Sequence, residues 1–149
     1  MKAWNRLPVT LYRIQPRLPV ALRDFTKQQQ LGRTSFDLKV QEGLVRPLVN
    51  PSKFTTPNGM SLRPVGENML KILGAFKNET MLYRMHEGME LPSDFVLYHE
   101  HTDHYSLQTS KDISLQDFNM KLTVFLKSLP SQTKSQFLEE LEDEDDFDN

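Results

Sequence analysis

Residues 95–108 read FVLYHEHTDHYSLQ. Two runs, FVLYHE and HYSLQ, flank the polar His101, Thr102 and Asp103 and read as the arms of a β-hairpin whose turn lies near those residues. Three of the four histidines of the chain and two carboxylates fall between His99 and His104. The stretch therefore sets both the local structure and the first functional question.

Working outward, ISLQDFNMKLTVFLKSL (residues 113–129) is the clearest helix. Ser114 is the expected N-cap, Leu115, Phe118, Leu122, Phe125, Leu126 and Leu129 form one apolar stripe, and Pro130 stops it. Upstream, ETMLYRMHEG (79–88) reads as a strand ending at a glycine. GENMLKILGAFK (66–77) places Met69, Ile72, Leu73 and Phe76 at helical spacing. Near the N-terminus VTLYRI (9–14), bounded by Pro8 and Pro16, reads as a strand. VALRDFTKQQQLG (20–32) reads as a helix, and TSFDLKV (34–40) as a short strand. Residues 43–64 are rich in Pro, Asn and Gly and predict irregular chain, with an Asn-Gly turn inside PNGMSLRP (57–64). Strands and helices mix without βαβ alternation or repeats, so the class is α+β.

The 149 residues suffice for one domain with a real core. The domain is expected to span residues 1–130, with 131–149 an acidic, disordered tail. With no cysteine, disulfides, thiolate zinc sites and a Cys nucleophile are excluded. No apolar run approaches the roughly 20 residues of a membrane-spanning helix, and no membrane partner is expected. The net charge of −2 hides an asymmetry: from Glu139 onward there are eight acids and no base, so the preceding body carries 18 basic against 12 acidic residues. That surplus suits an anionic ligand such as a nucleotide, although it is also ordinary for a chain of this length. Nucleic acid is not the expected partner. The acid-poor start, with Arg6, Arg13, Arg17 and Arg23, resembles a mitochondrial presequence. Pro8, Pro16 and Pro19 argue against the amphipathic helix such a peptide needs, so a cytoplasmic location is expected.

For the histidine cluster, a metal site and a polar hairpin facing solvent compete. His99 and His101 share a strand face with Asp103, and a turn could bring His104 opposite His101. No standard zinc spacing appears, so no metal is expected. PNGMSLRP and the helix start near Glu67 could present backbone N–H groups and Arg63 to an anion, or could form an ordinary turn. Arg13 lies mid-strand in an apolar run. Pointing inward it needs a ligand or partner; pointing outward it is a surface charge.

Three pieces occur in order: TLYR (10–13), PNGMSLRP, and LPSDFVLYHEHTDHYSLQ (91–108) followed by the ISLQDFNMKLTVFL helix. Together they resemble the ADP-ribosyltransferase-like toxin domain of a Pseudomonas type VI secretion effector family, and especially its fungal branch. The resemblance runs from about Val9 to Leu129. It implies a mono-ADP-ribosyltransferase-like fold, two small mixed sheets around an NAD cleft with flanking helices, and NAD as the substrate. It also implies a macromolecular acceptor of ADP-ribose and an immunity or antitoxin protein as partner. On matching positions, Arg13 would grip the phosphates, Ser61 would position the nicotinamide ribose, and His104 would bond a ribose hydroxyl. Tyr12 or Tyr105 would stack on nicotinamide, and Arg63 would assist the phosphates. The late-strand glutamate of such enzymes has no clear counterpart, and Glu100 is the candidate by nearness. Met60-Ser61 stands where the toxin has a Thr-Ser pair.

Overall fold

A computed structural model describes residues 1–148. In chain order the elements are β1 (Lys2–Trp4), β2 (Leu11–Gln15), α1 (Phe25–Gln30), β3 (Met60–Leu62), α2 (Glu67–Ala75) and β4 (Met81–Met85). They continue as β5 (Phe95–His101), β6 (His104–Thr109), α3 (Leu115–Lys127), β7 (Ser131–Thr133) and α4 (Lys134–Asp148). The class is α+β, as expected. The sheets are not mixed: both are antiparallel, one ordered β1-β5-β6-β3 and the other β2-β4-β7.

The hairpin forms as β5 and β6. Its two-residue turn is Thr102-Asp103, with Thr102 at a φ of 46°. The register shifts between His99↔Tyr105 and His101↔His104, leaving Glu100 as the extra residue of a bulge. A bulge re-aims the side chain it carries. Here Glu100 turns inward and is buried.

Packing follows the apolar patterns. On α3, Phe118, Leu122 and Leu126 are fully buried against the first sheet, joining Leu97 and Leu107. Ser114 caps this helix by accepting from the Asp117 N–H at 3.1 Å. A second, smaller core joins Met69 and Leu73 of α2 to Leu82 of β4 and Phe137 of α4.

Three expectations change. The helix expected over 20–32 shrinks to α1, because α3 captures the backbone donors ahead of it: Val20 N–H donates to Thr123 Oγ1 at 2.9 Å and Leu22 N–H to Asn119 Oδ1 at 3.0 Å. Asp24 then caps the short helix through the Lys27 N–H. The strand expected over 34–40 reduces to a single parallel bridge, Asp24↔Leu38, although Leu38 is fully buried. The domain boundary expected at residue 130 falls inside the second sheet. β7 supplies backbone partners to β4, and Phe137 is 3% exposed, so the chain after Pro130 is part of the packed fold. The acid run continues α4 instead of forming a disordered tail; Asn149 lies outside the described residues. The N-terminal residues are also built in, since β1 pairs with β5. Among the described residues no helix is long and apolar enough to cross a membrane.

Candidate functional site

The two sheets meet where β2 passes the end of β3. Tyr12 and Arg63 exchange backbone hydrogen bonds of 2.8 and 3.1 Å, and beyond that bridge the sheets part. The opening is a cleft of about 400 Å³, with Arg13 and Gln15 from β2, Ser61 and Arg63 from the β3 segment, Arg23 and Asp37 from the loops, and Met69 and Ile72 from α2. The N-terminus of α2, weighed above as an anion site, does not line it.

Strand periodicity aims Arg13 into this cleft. Leu11, Arg13 and Gln15 share one face of β2, and Leu11 is in the main core. Tyr12 and Ile14 share the other face and pack against the second core. The Arg13 guanidinium donates from Nε to Gln15 Oε1 (3.0 Å) and from Nη1 to the Ser61 carbonyl (3.2 Å). Both acceptors are neutral. Burial pushes the Arg13 pKa down to about 10, with Asp37 opposing the shift and Arg23 adding to it. Asp37 itself is engaged by Arg23, which reaches its two oxygens at 3.0 Å each and is held above its ordinary pKa chiefly by that contact. Arg63 adds a second cation whose buried Nε has no hydrogen-bond partner among the described residues and lies 3.7 Å from Asp103. An incompletely paired guanidinium pair at a cleft is the donor set that phosphate oxygens satisfy.

Beside Arg13 runs a chain of three side chains. Ser61 lies opposite Ser106 across β3 and β6, which makes His104 its diagonal neighbour on the same face. His104 Nε2 is 2.9 Å from Ser61 Oγ, and His104 Nδ1 is 3.0 Å from Glu100 Oε2. The carboxylate only accepts, so Nδ1–H donates to it; Nε2 of the neutral ring then accepts the Ser61 hydroxyl proton. The Glu100 side chain is 1% exposed and that of His104 12%. Ser61 carries the chain to the cleft wall.

The structure therefore brings together Arg13, Ser61, His104, Glu100 and Arg63. It does not bring in the two tyrosines as stacking groups. The Tyr12 ring lines the cleft edge but packs edge-on against Phe137 with centroids 5.5 Å apart. Tyr105 points to the opposite face of β6, where its ring stacks on His99 at 4.4 Å and burial raises its phenol pKa. The Asn-Gly turn also serves another purpose than expected. Gly59 permits close approach: a Cβ there would stand 2.3 Å from the Leu107 carbonyl oxygen. Asn58, buried beside it, donates to Gln108 and the Arg46 carbonyl. Sequence reasoning missed Arg23 and Asp37, whose place in the cleft is a long-range contact with no local pattern. Gln15 carried a usable signal, two residues beyond Arg13 on one strand.

Two antiparallel sheets parted around a basic cleft, with a serine–histidine–glutamate chain reaching its wall at Ser61, define an α+β domain with incompletely paired cationic donors at its cleft. The chain belongs to the Tse2 ADP-ribosyltransferase toxin family, whose model matches residues 9–137. That match runs past β7 to Phe137, in agreement with the packing of the C-terminal segment. No curated protein and no solved structure matches the chain.

Proposed function

We propose that the protein binds NAD in the cleft between its sheets, cleaves the nicotinamide–ribose bond, and passes ADP-ribose to a macromolecule or to water. Bond cleavage leaves the electron pair on nicotinamide and develops an oxocarbenium-like cation at the ribose, as in glycoside hydrolysis. The acceptor oxygen adds to that carbon and loses its proton. Arg13 and Arg63 hold the diphosphate. Ser61 Oγ, its own proton committed to His104, offers lone pairs to a ribose hydroxyl. Glu100 places a negative charge one imidazole behind that contact, which favours developing positive charge in a site of low dielectric.

The observation that carries this reading is the 2.9 and 3.0 Å chain from Ser61 through His104 to Glu100, set beside an Arg13 whose two hydrogen-bond acceptors are neutral. Membership of the toxin family supports the substrate. The hairpin motif supports placement in the fungal branch, and a toxin of this kind requires an immunity or antitoxin partner in its producer. The deciding experiment measures NAD turnover by the purified protein and by Arg13→Ala, Ser61→Ala and His104→Ala. Loss in the variants is expected; turnover unchanged in all three would sink the assignment. Expression in a host cell should be harmful, and His104→Ala should relieve the harm.

A second reading, a catalytically silent NAD- or protein-binding module, is favoured by two observations. Met60 is fully buried where the toxin has a hydroxyl, and Glu100 bonds His104 behind the cleft wall. Calorimetric titration separates the readings, because NAD binding without turnover selects the silent module.

A further inference from the structure

The hairpin turn assembles a donor set of three side chains, one of which the NAD reading leaves unused. Of the residues weighed for metal binding in the sequence, His99 and Asp103 are occupied. His99 Nε2 donates to the Thr102 carbonyl at 2.7 Å, and Asp103 accepts from Asn68 at 3.2 Å while facing Arg63. The bulge replaces that face with another. Glu100 is turned inward, and the two-residue turn sets His101 directly across from His104, ring centroids 5.2 Å apart. One ligand atom each from Glu100, His101 and His104 lies within 4.8 Å of the others.

We propose that Glu100, His101 and His104 bind a zinc-class divalent ion, and that this ion switches the Ser61 chain off. Two donors on one tetrahedral zinc stand about 3.3 Å apart, close to the distance already separating Glu100 and His104. The observed separation is 3.0 Å. Glu100 and His104 are held by burial, and His101 is exposed, so adjustment of one exposed side chain closes the site and leaves an entry path for the ion. Phe54 packs edge-on against the His101 ring at 5.4 Å and limits its rotamers. A zinc-bound imidazole is oriented by a hydrogen bond at its other nitrogen, and Ser61 Oγ supplies that partner at 2.9 Å. Metal at Nδ1 displaces the proton shared with Glu100 and reverses the Ser61 bond: Nε2–H then donates to Oγ. The serine lone pair and the glutamate charge are withdrawn together.

Zinc binding stands on geometry alone; the switching rests on the NAD reading. The test titrates Zn²⁺ into the full chain, free of any histidine tag, against a chromophoric chelator, alongside His101→Ala. One equivalent should bind, with at least tenfold weaker binding in His101→Ala. No binding below millimolar Zn²⁺, or wild-type affinity in His101→Ala, overturns the site. In parallel, Zn²⁺ should inhibit NAD turnover of the wild type and spare His101→Ala, whose turnover without metal is normal. Equal inhibition of both overturns the switch. Absence of turnover in the untreated wild type removes the NAD reading and the switch with it, while the chelator titration still decides the site.

Discussion

Replacing Arg13 by methionine should leave the protein at least as stable as before and remove its grip on NAD. Burial lowers the guanidinium pKa to about 10, well below its ordinary value, so keeping it charged inside the fold costs on the order of 3 kcal/mol at about 1.4 kcal/mol per unit. Because the folded-state value lies below the unfolded one, that cost is fully present below about pH 10. It fades as pH rises from there toward the ordinary arginine value, a window far above any working pH. Substitution is therefore the practical probe. Methionine keeps the length and apolar stem of arginine but leaves the Gln15 and Ser61 acceptors without their donor; both line the cleft, where water replaces it, so the cost is about 1 kcal/mol each, the low end for a lost partner. The balance is a gain of about 1 kcal/mol, or about 2–4 °C in Tm for a chain of this size. Urea unfolding and a thermal melt measure it, and calorimetry measures NAD binding, which should weaken more than tenfold. A stability loss of about 2 kcal/mol or more would refute the reasoning, since it would make Arg13 a structural group and not a ligand-binding one.

The other predictions test the relay and the unexpected parts of the fold. Glu100→Gln keeps the shape of the bulge and removes its charge, so NAD turnover should fall by about 10–100-fold while KM stays near its original value, read from steady-state kinetics. Phe137→Ala empties the second core and should cost about 3–5 kcal/mol in urea unfolding; a value near zero would return the boundary to residue 130. Gly59→Ala drives a methyl into the Leu107 carbonyl and should destabilise the fold, whereas Gly74→Ala, in open space on α2, should stabilise it by about 1 kcal/mol.

Elements whose signal is periodic were legible along the chain. The Ser114 cap and the apolar stripe identified α3, alternation with a polar turn identified β5 and β6, and Pro8 and Pro16 framed β2. Elements held by distant partners were not. β1 and β7 are three-residue edge strands, too short to carry a pattern, and exist because β5 and β4 offer open backbone. Val20 and Leu22 have helical neighbours in sequence but are kept extended by Thr123 and Asn119.

The site divides the same way. Sequence alone supplied its chemistry: an arginine inside an apolar strand, a serine after the Asn-Gly pair, and a histidine with a nearby glutamate on a hairpin. It also left each with a neutral alternative, surface charge or solvated turn. Tertiary structure decided which held. Pairing of β3 with β6 set Ser61 diagonal to His104, and the bulge turned Glu100 onto the same imidazole. The parting of the sheets beside Tyr12 and Arg63 gave Arg13 a cleft to face. The physical reason is that side-chain type is local, whereas register, bulge placement and the face a side chain presents depend on backbone partners far away in the chain, as Tyr12 and Arg63 are.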